Sequence, residues 1–127
     1  MREINHRQVA VVTGGSAGLG FAIAKKFVSH KITTIITGRD AQKLENAKSC
    51  LGNLCIPSQC DVNDLTKLPS FVEAITTEYG GIDILVNNAG INHKKNLVDV
   101  TDEEFLKIIQ TNVLGLFALL REAGKSM

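Results

Sequence analysis

An apolar run, Val9-Ala10-Val11-Val12, leads directly into Thr13-Gly14-Gly15-Ser16-Ala17-Gly18-Leu19-Gly20, after which Leu19, Ala22, Ile23 and Phe27 recur at the spacing of one helix face. A short β-branched run without polar residues is what a fully buried strand looks like, and the glycines mark where it turns. The helix that follows starts with unpaired backbone N–H groups and a partial positive charge, so its N-terminus attracts anions wherever no side chain blocks the approach. Gly14 suits a tight turn, Gly18 the close passage of a pyrophosphate, and Gly20 close contact between helix and strand. A glycine triplet also serves an ordinary α/β loop. The strand before it and the helix after it are what point to phosphate.

The rest of the chain repeats this alternation. A second strand spans residues 32–37 and ends at Gly38; Asp40 then stands as N-cap to a helix carrying Leu44, Ala47 and Leu51, stopped by Gly52-Asn53. A third strand covers residues 54–60, and Pro57 within it cannot donate to a central ladder, which sends this strand to the sheet edge. Leu65, Leu68, Val72, Ile75 and Tyr79 mark an amphipathic helix; Pro69 is tolerable only in its first turn, so the regular helix begins near Leu68. A fourth strand at residues 82–86 runs into Asn87-Asn88-Ala89-Gly90, at the strand end where open α/β sheets place functional loops. The last helix starts at a capping box, Thr101-Asp102-Glu103-Glu104, and is expected to reach Glu122 and end at Gly124. Its stretch 113–120 is apolar nearly all round and needs cover on more than one side. Strands alternating with helices, without linker or repeat, predict a parallel sheet with crossover helices in the α/β class.

Composition bounds the chemistry. At 127 residues, 44% apolar and 21% charged, the chain fits one domain. A net charge of +1 with interspersed signs offers no field to recruit nucleic acid or an anionic membrane, so any anion site is local. No apolar run is long enough for a membrane span or a signal-peptide core. Cys50, Cys55 and Cys60 are an odd count five apart, matching neither a disulfide framework nor a zinc pattern, and read as reduced thiols in the cytoplasm. His6, His30 and His93 are scattered without metal-ligand pairing, so no metal site is expected.

Thr13-Gly14-x-x-x-Gly18-x-Gly20, Asp61-Val62 after the third strand, Asn87-Asn88-Ala89-Gly90 after the fourth and Asn112 in the last helix together resemble the short-chain dehydrogenase/reductase family, over Gln8 to the C-terminus. The resemblance implies a Rossmann-type, doubly wound parallel sheet and NAD(P)-dependent hydride transfer with a small carbonyl or alcohol substrate. It implies that Gly14, Ser16, Gly18, Leu19 and Gly20 form the pyrophosphate and ribose loop. Asp61 would then hydrogen-bond the adenine amino group beside the Val62 backbone, and Asn88, Ala89 and Gly90 would line the nicotinamide-side ribose. Asn87 would tie the central strands together. Asp61 also fits a turn or helix-entry aspartate.

Cofactor choice turns on charge. About 20 residues past the glycine loop, this fold places a carboxylate for the ribose hydroxyls of NAD, or an Arg for the 2′-phosphate of NADP. Here Gly38 is followed by Arg39, whose guanidinium suits a phosphate, so NADP is favoured with NAD possible. Arg39 also fits a solvated charge or a partner of Asp40.

The family chemistry implied by the resemblance needs a Ser and a Tyr with a Lys four residues later. The one tyrosine is Tyr79, with Asp83 four residues on. Asn112 matches a fourth catalytic member, which holds a water-linked relay to that Lys. Residues 1–127 are therefore expected to be the cofactor-binding half, truncated after the fourth strand and its helix, inactive alone and self-associating through the helix at 101–122. The alternative is a non-catalytic dinucleotide-binding or regulatory module complete at Met127.

Overall fold

A computed structural model describes residues 7–89 and 96–127. Four strands, β1 (Val9–Thr13), β2 (Thr33–Gly38), β3 (Cys55–Gln59) and β4 (Ile84–Val86), form a parallel sheet in the order β3-β2-β1-β4. Helices α1 (Gly18–Ser29), α2 (Ala41–Leu51) and α3 (Leu68–Tyr79) connect successive strands, and α4 (Asp102–Ile109) and α5 (Leu116–Ser126) follow β4. The fold is α/β and Rossmann-like, as the alternation predicts.

Successive residues of the strands feed opposite layers, because side chains in a strand alternate between faces. Val9, Val11 and Ile35 pack with Leu68, Val72 and Ile75 of α3 and with Ala118, Leu119 and Ala123 of α5. Val12 and Ile36 pack instead with Ala24 of α1 and Leu44 and Ala47 of α2. Helices thus cover both faces, and fully buried side chains such as Ile35, Ile36, Leu44, Leu68 and Leu119 each contribute about 1.5–3 kcal/mol of hydrophobic stabilisation.

Local signals fall where the sequence puts them. Asp40 caps α2 by accepting from the N–H groups of Gln42 at 3.0 Å and Lys43 at 3.2 Å. Thr101 and Glu104 close the capping box, with Glu104 N–H donating to Thr101 Oγ1 at 3.1 Å and Thr101 N–H to Glu104 Oε1 at 3.3 Å. Pro57 lies on β3, which pairs with β2 alone among the described residues. Strand β4 is shorter than expected, because Asp83 is engaged with the start of β1: its N–H donates to the Val9 carbonyl at 2.8 Å and its Oδ2 accepts from Val9 N–H at 2.7 Å.

The last helix departs from expectation in two ways. It is not regular, since residues Gln110–Gly115 form a π-helical turn between α4 and α5. It passes through Gly124 to Ser126, a glycine inside a helix costing only about 1 kcal/mol relative to alanine. Ala118, Leu119, Glu122 and Ala123 are buried, while Phe105, Leu106, Val113, Leu114, Phe117 and Leu120 are exposed, so among the described residues a second apolar face of this helix is left uncovered where the sequence calls for cover on more than one side. Buried Glu122 pairs with Lys125, whose Nζ lies 2.8 Å from its Oε2.

Gly115 lets the end of the π-helical turn lie against the loop after β3. A Cβ added there would stand 2.6 Å from the Val62 carbonyl oxygen, a backbone atom that cannot move aside cheaply, whereas one added at Gly124 meets nothing within 4 Å. Gly115→Ala is therefore expected to lower unfolding free energy by about 1–3 kcal/mol. Gly124→Ala is expected to be neutral or to stabilise by up to about 1 kcal/mol. Denaturant melts of the two variants check this contrast, which equal effects would refute.

Candidate functional site

All four strands point their C-terminal ends at one cleft of about 260 Å³. Gly14 lines it after β1; Thr37, Gly38 and Arg39 at the end of β2; Cys60, Asp61, Val62 and Asn63 after β3; Asn88 and Ala89 after β4. Thr111, from the π-helical turn, completes the wall. The sheet order reverses between β1 and β4, and an open α/β sheet binds ligands in the crevice at such a point.

The glycine loop is pinned before it reaches the cleft. Gly14 and Gly15 N–H groups donate to the Thr37 carbonyl at 3.0 and 3.2 Å, so neither is offered outward. Gly14 holds φ +67°, a left-handed value that favours glycine. A Cβ on Gly20 would collide with the Gly14 carbonyl oxygen and come within 2.6 Å of Asn88 Nδ2. Close contact at Gly20 is thus with the loop ends after β1 and β4. Gly15, not singled out in the sequence, is equally constrained, since a Cβ there would lie 2.6 Å from Ile36 Cγ2.

Helix α1 presents a free end. Its N-cap, Ala17, makes no side-chain cap, and its first turn carries no acidic residue. Gly18 has φ +59° with nothing within 4 Å of where a Cβ would be, and Ala17, Gly18 and Leu19 are exposed. This is an unneutralised N-terminal dipole with open access. Ser16 is half-buried beside Gly38, its Oγ 3.8 Å from a Cβ built there.

Thr13 locks the far side. Its hydroxyl oxygen accepts from the N–H groups of Asn88 at 2.9 Å and Ala89 at 3.0 Å, and the hydroxyl donates to the Val86 carbonyl at 3.4 Å. Asn88 Nδ2 donates back to the Gly14 carbonyl at 3.1 Å. The tie between the ends of β1 and β4 therefore runs through Thr13 and Asn88, rather than through Asn87 as the family resemblance implies. A lone threonine at a strand end carries no sequence signal for this.

On the β2–β3 side, Arg39 is exposed and makes no ion pair among the described residues, Asp40 being occupied with the α2 cap. Asp61 Oδ1 accepts from Asn63 N–H at 2.9 Å, an Asx turn that facilitates entry to the 3-10 turn before α3. Asn112 lies half-buried in the π-helical turn next to Thr111. Gly90 lies outside the described residues, as do His93 and Lys94-Lys95. Tyr79 closes α3 at the opposite end of the sheet, and burial, with Glu78 beside it, pushes its phenol up, away from the range useful for acid–base work near neutrality. Among the described residues no three His, Cys, Asp or Glu side chains are grouped to hold a metal, and no helix is long and apolar enough to cross a membrane.

A family model described as short chain dehydrogenase matches residues 8–127. The chain belongs to that family. It is 32% identical over 125 residues to a 3alpha-hydroxysteroid dehydrogenase of Mediterraneibacter gnavus, covering 94% of this chain and 50% of the relative. It is 37% identical over 112 residues to an NADP-dependent (R)-specific alcohol dehydrogenase of Lentilactobacillus kefiri, covering 87% of this chain and 44% of the relative. The crystal structure of a 3-ketoacyl-(acyl-carrier-protein) reductase from Brucella melitensis complexed with NADH superposes with a TM-score of 0.89 at 33% identity, covering 95% of this chain and 50% of that one. This short-chain dehydrogenase chain thus spans about half the length of the relatives it matches.

Thr13→Val removes the acceptor of two backbone N–H groups and should cost about 2–4 kcal/mol of stability, with Thr13→Ser within about 1 kcal/mol of wild type, measured by denaturant unfolding. The Cys55 and Cys60 thiols are both pushed up, chiefly by burial; Lys48 opposes the shift at Cys55, while Asp61 and Asp64 add to it at Cys60. The folded chain then keeps protons that the unfolded chain releases, so stability holds below about pH 8.5 and declines as pH rises past it. Unfolding curves from about pH 7 to about pH 10 should show a shallower decline in Cys60→Ala than in wild type.

Proposed function

We propose that residues 1–127 form the nucleotide-binding part of an NAD(P)-dependent oxidoreductase of small carbonyl or alcohol substrates, with NADP preferred. The observations that carry the reading are the uncapped, acid-free N-terminus of α1, which begins four residues after the cleft-lining Gly14, and Arg39 in the cleft wall, exposed and without an ion pair among the described residues. An anion at the first and a second phosphate at the other are what these groups suit. The glycine loop fits such a ligand: Gly18 leaves open space where a side chain would stand, while Gly14 and Gly20 allow the loop ends to close tightly behind it.

In this reading Gly14, Ser16, Gly18, Leu19 and Gly20 hold pyrophosphate and ribose, and Arg39 the 2′-phosphate. Asp61 and Val62 receive the adenine, and Asn88, Ala89 and Gly90 the ribose on the nicotinamide side. The bound nicotinamide supplies the hydride chemistry. Asn112 takes part in orienting a proton relay whose Ser, Tyr and Lys come from outside these residues, so residues 1–127 alone bind cofactor without turnover. The exposed strip from Phe105 to Leu120 supports association with a second copy. Free Cys50, Cys55 and Cys60 support a reducing, cytoplasmic setting.

Titration with NADPH and NADH tests the proposal. NADPH should bind more tightly, and Arg39→Ala should weaken NADPH by about ten- to a hundredfold while changing NADH little. Equal affinity for both cofactors in wild type would remove the NADP preference, and binding of neither would remove the nucleotide site.

A further inference from the structure

We propose that Thr111 is a positioning residue that holds the β3-side wall of the cleft for the adenosine part of the ligand; the inference rests on the nucleotide-binding reading above. The π-helical turn Gln110–Gly115 widens the hydrogen-bond ladder from i→i+4 to i→i+5, a rare geometry that occurs frequently at functional sites. Here it presents two buried residues to one loop. Thr111, 4% exposed, donates its hydroxyl to Asn63 Oδ1 at 2.8 Å. Gly115 brings the helix backbone against the Val62 carbonyl, at a distance no side chain would permit.

The loop they grip carries Asp61. Asn63 N–H donates to Asp61 Oδ1 at 2.9 Å, and Asp64 N–H donates to the Asp61 carbonyl at 2.9 Å. Thr111 is therefore linked to Asp61 through one residue, Asn63, whose side chain faces the helix and whose backbone holds the carboxylate. Thr111 and residues 60–63 also line the same cleft. Part-buried hydrogen bonds of this kind fix an orientation more than they add stability, because a lost partner leaves the remaining group unsatisfied. Releasing Thr111 frees the Asn63 amide, and with it the turn that aims Asp61. The β1 and β4 side of the cleft, tied by Thr13 and Asn88, is unaffected.

The test compares Thr111→Val, close in shape but without the hydroxyl, with Thr111→Ser, which keeps it. The full chain is titrated by chemical-shift mapping with two fragments, 2′-phospho-ADP-ribose and reduced nicotinamide mononucleotide. Thr111→Val should weaken the adenosine fragment by about tenfold and leave the nicotinamide fragment unchanged, while Thr111→Ser stays within about twofold of wild type for both. Asn63 and Asp64 amides should exchange faster in Thr111→Val than in Thr111→Ser. Equal weakening of both fragments, or of neither, overturns the positioning role while leaving the nucleotide site in place. Failure of wild type to bind either fragment overturns the nucleotide reading and this inference with it.

Discussion

The position of β1 between β2 and β4 is the constraint on which the rest depends. Parallel neighbours must be joined by crossovers, and crossovers are right-handed, so moving first to one side of β1 and then to the other puts helices on both faces of the sheet. Every strand then ends at the same edge, and the loops after β1 and β4 diverge to leave a crevice. Burial of Val9, Val11 and Val12 drives the arrangement, but the crevice is a consequence of connectivity.

What the crevice offers a ligand is decided by which polar groups the protein itself uses. The Thr37 carbonyl takes up the N–H groups of Gly14 and Gly15, and the Thr13 hydroxyl takes up those of Asn88 and Ala89. These bonds make the loops rigid and remove four donors from competition. The end of α1 is left without a cap, and Arg39 without an ion pair among the described residues. Anion attraction is thus concentrated at two points of a chain whose net charge is +1.

The helix after β4 joins this site to the rest of the molecule. One face of α5 packs on α3 and the sheet, the π-helical turn grips the loop after β3, and a second, apolar face is exposed. An ordinary amphipathic helix has one apolar stripe. Two stripes on one helix explain why the segment 113–120 reads as apolar nearly all round, and why its periodicity alone did not reveal the π-helical turn.

Much was legible in the sequence because it is local. The caps at Asp40 and Thr101, Pro69 in the first turn of α3 and Pro57 at the edge all act within a few residues, through backbone geometry that the residue type itself imposes. The glycine spacing likewise located the loop and the strand ends located the cleft. Tertiary structure alone decided that Asn88 ties back to Gly14 across 74 residues, that Gly15 lies against Ile36, and that Thr111 reaches Asn63 across 48 residues through a π-helical turn. Each of these depends on how closely two distant segments approach, and that distance is set by packing of the whole sheet and its helices rather than by any neighbouring residue.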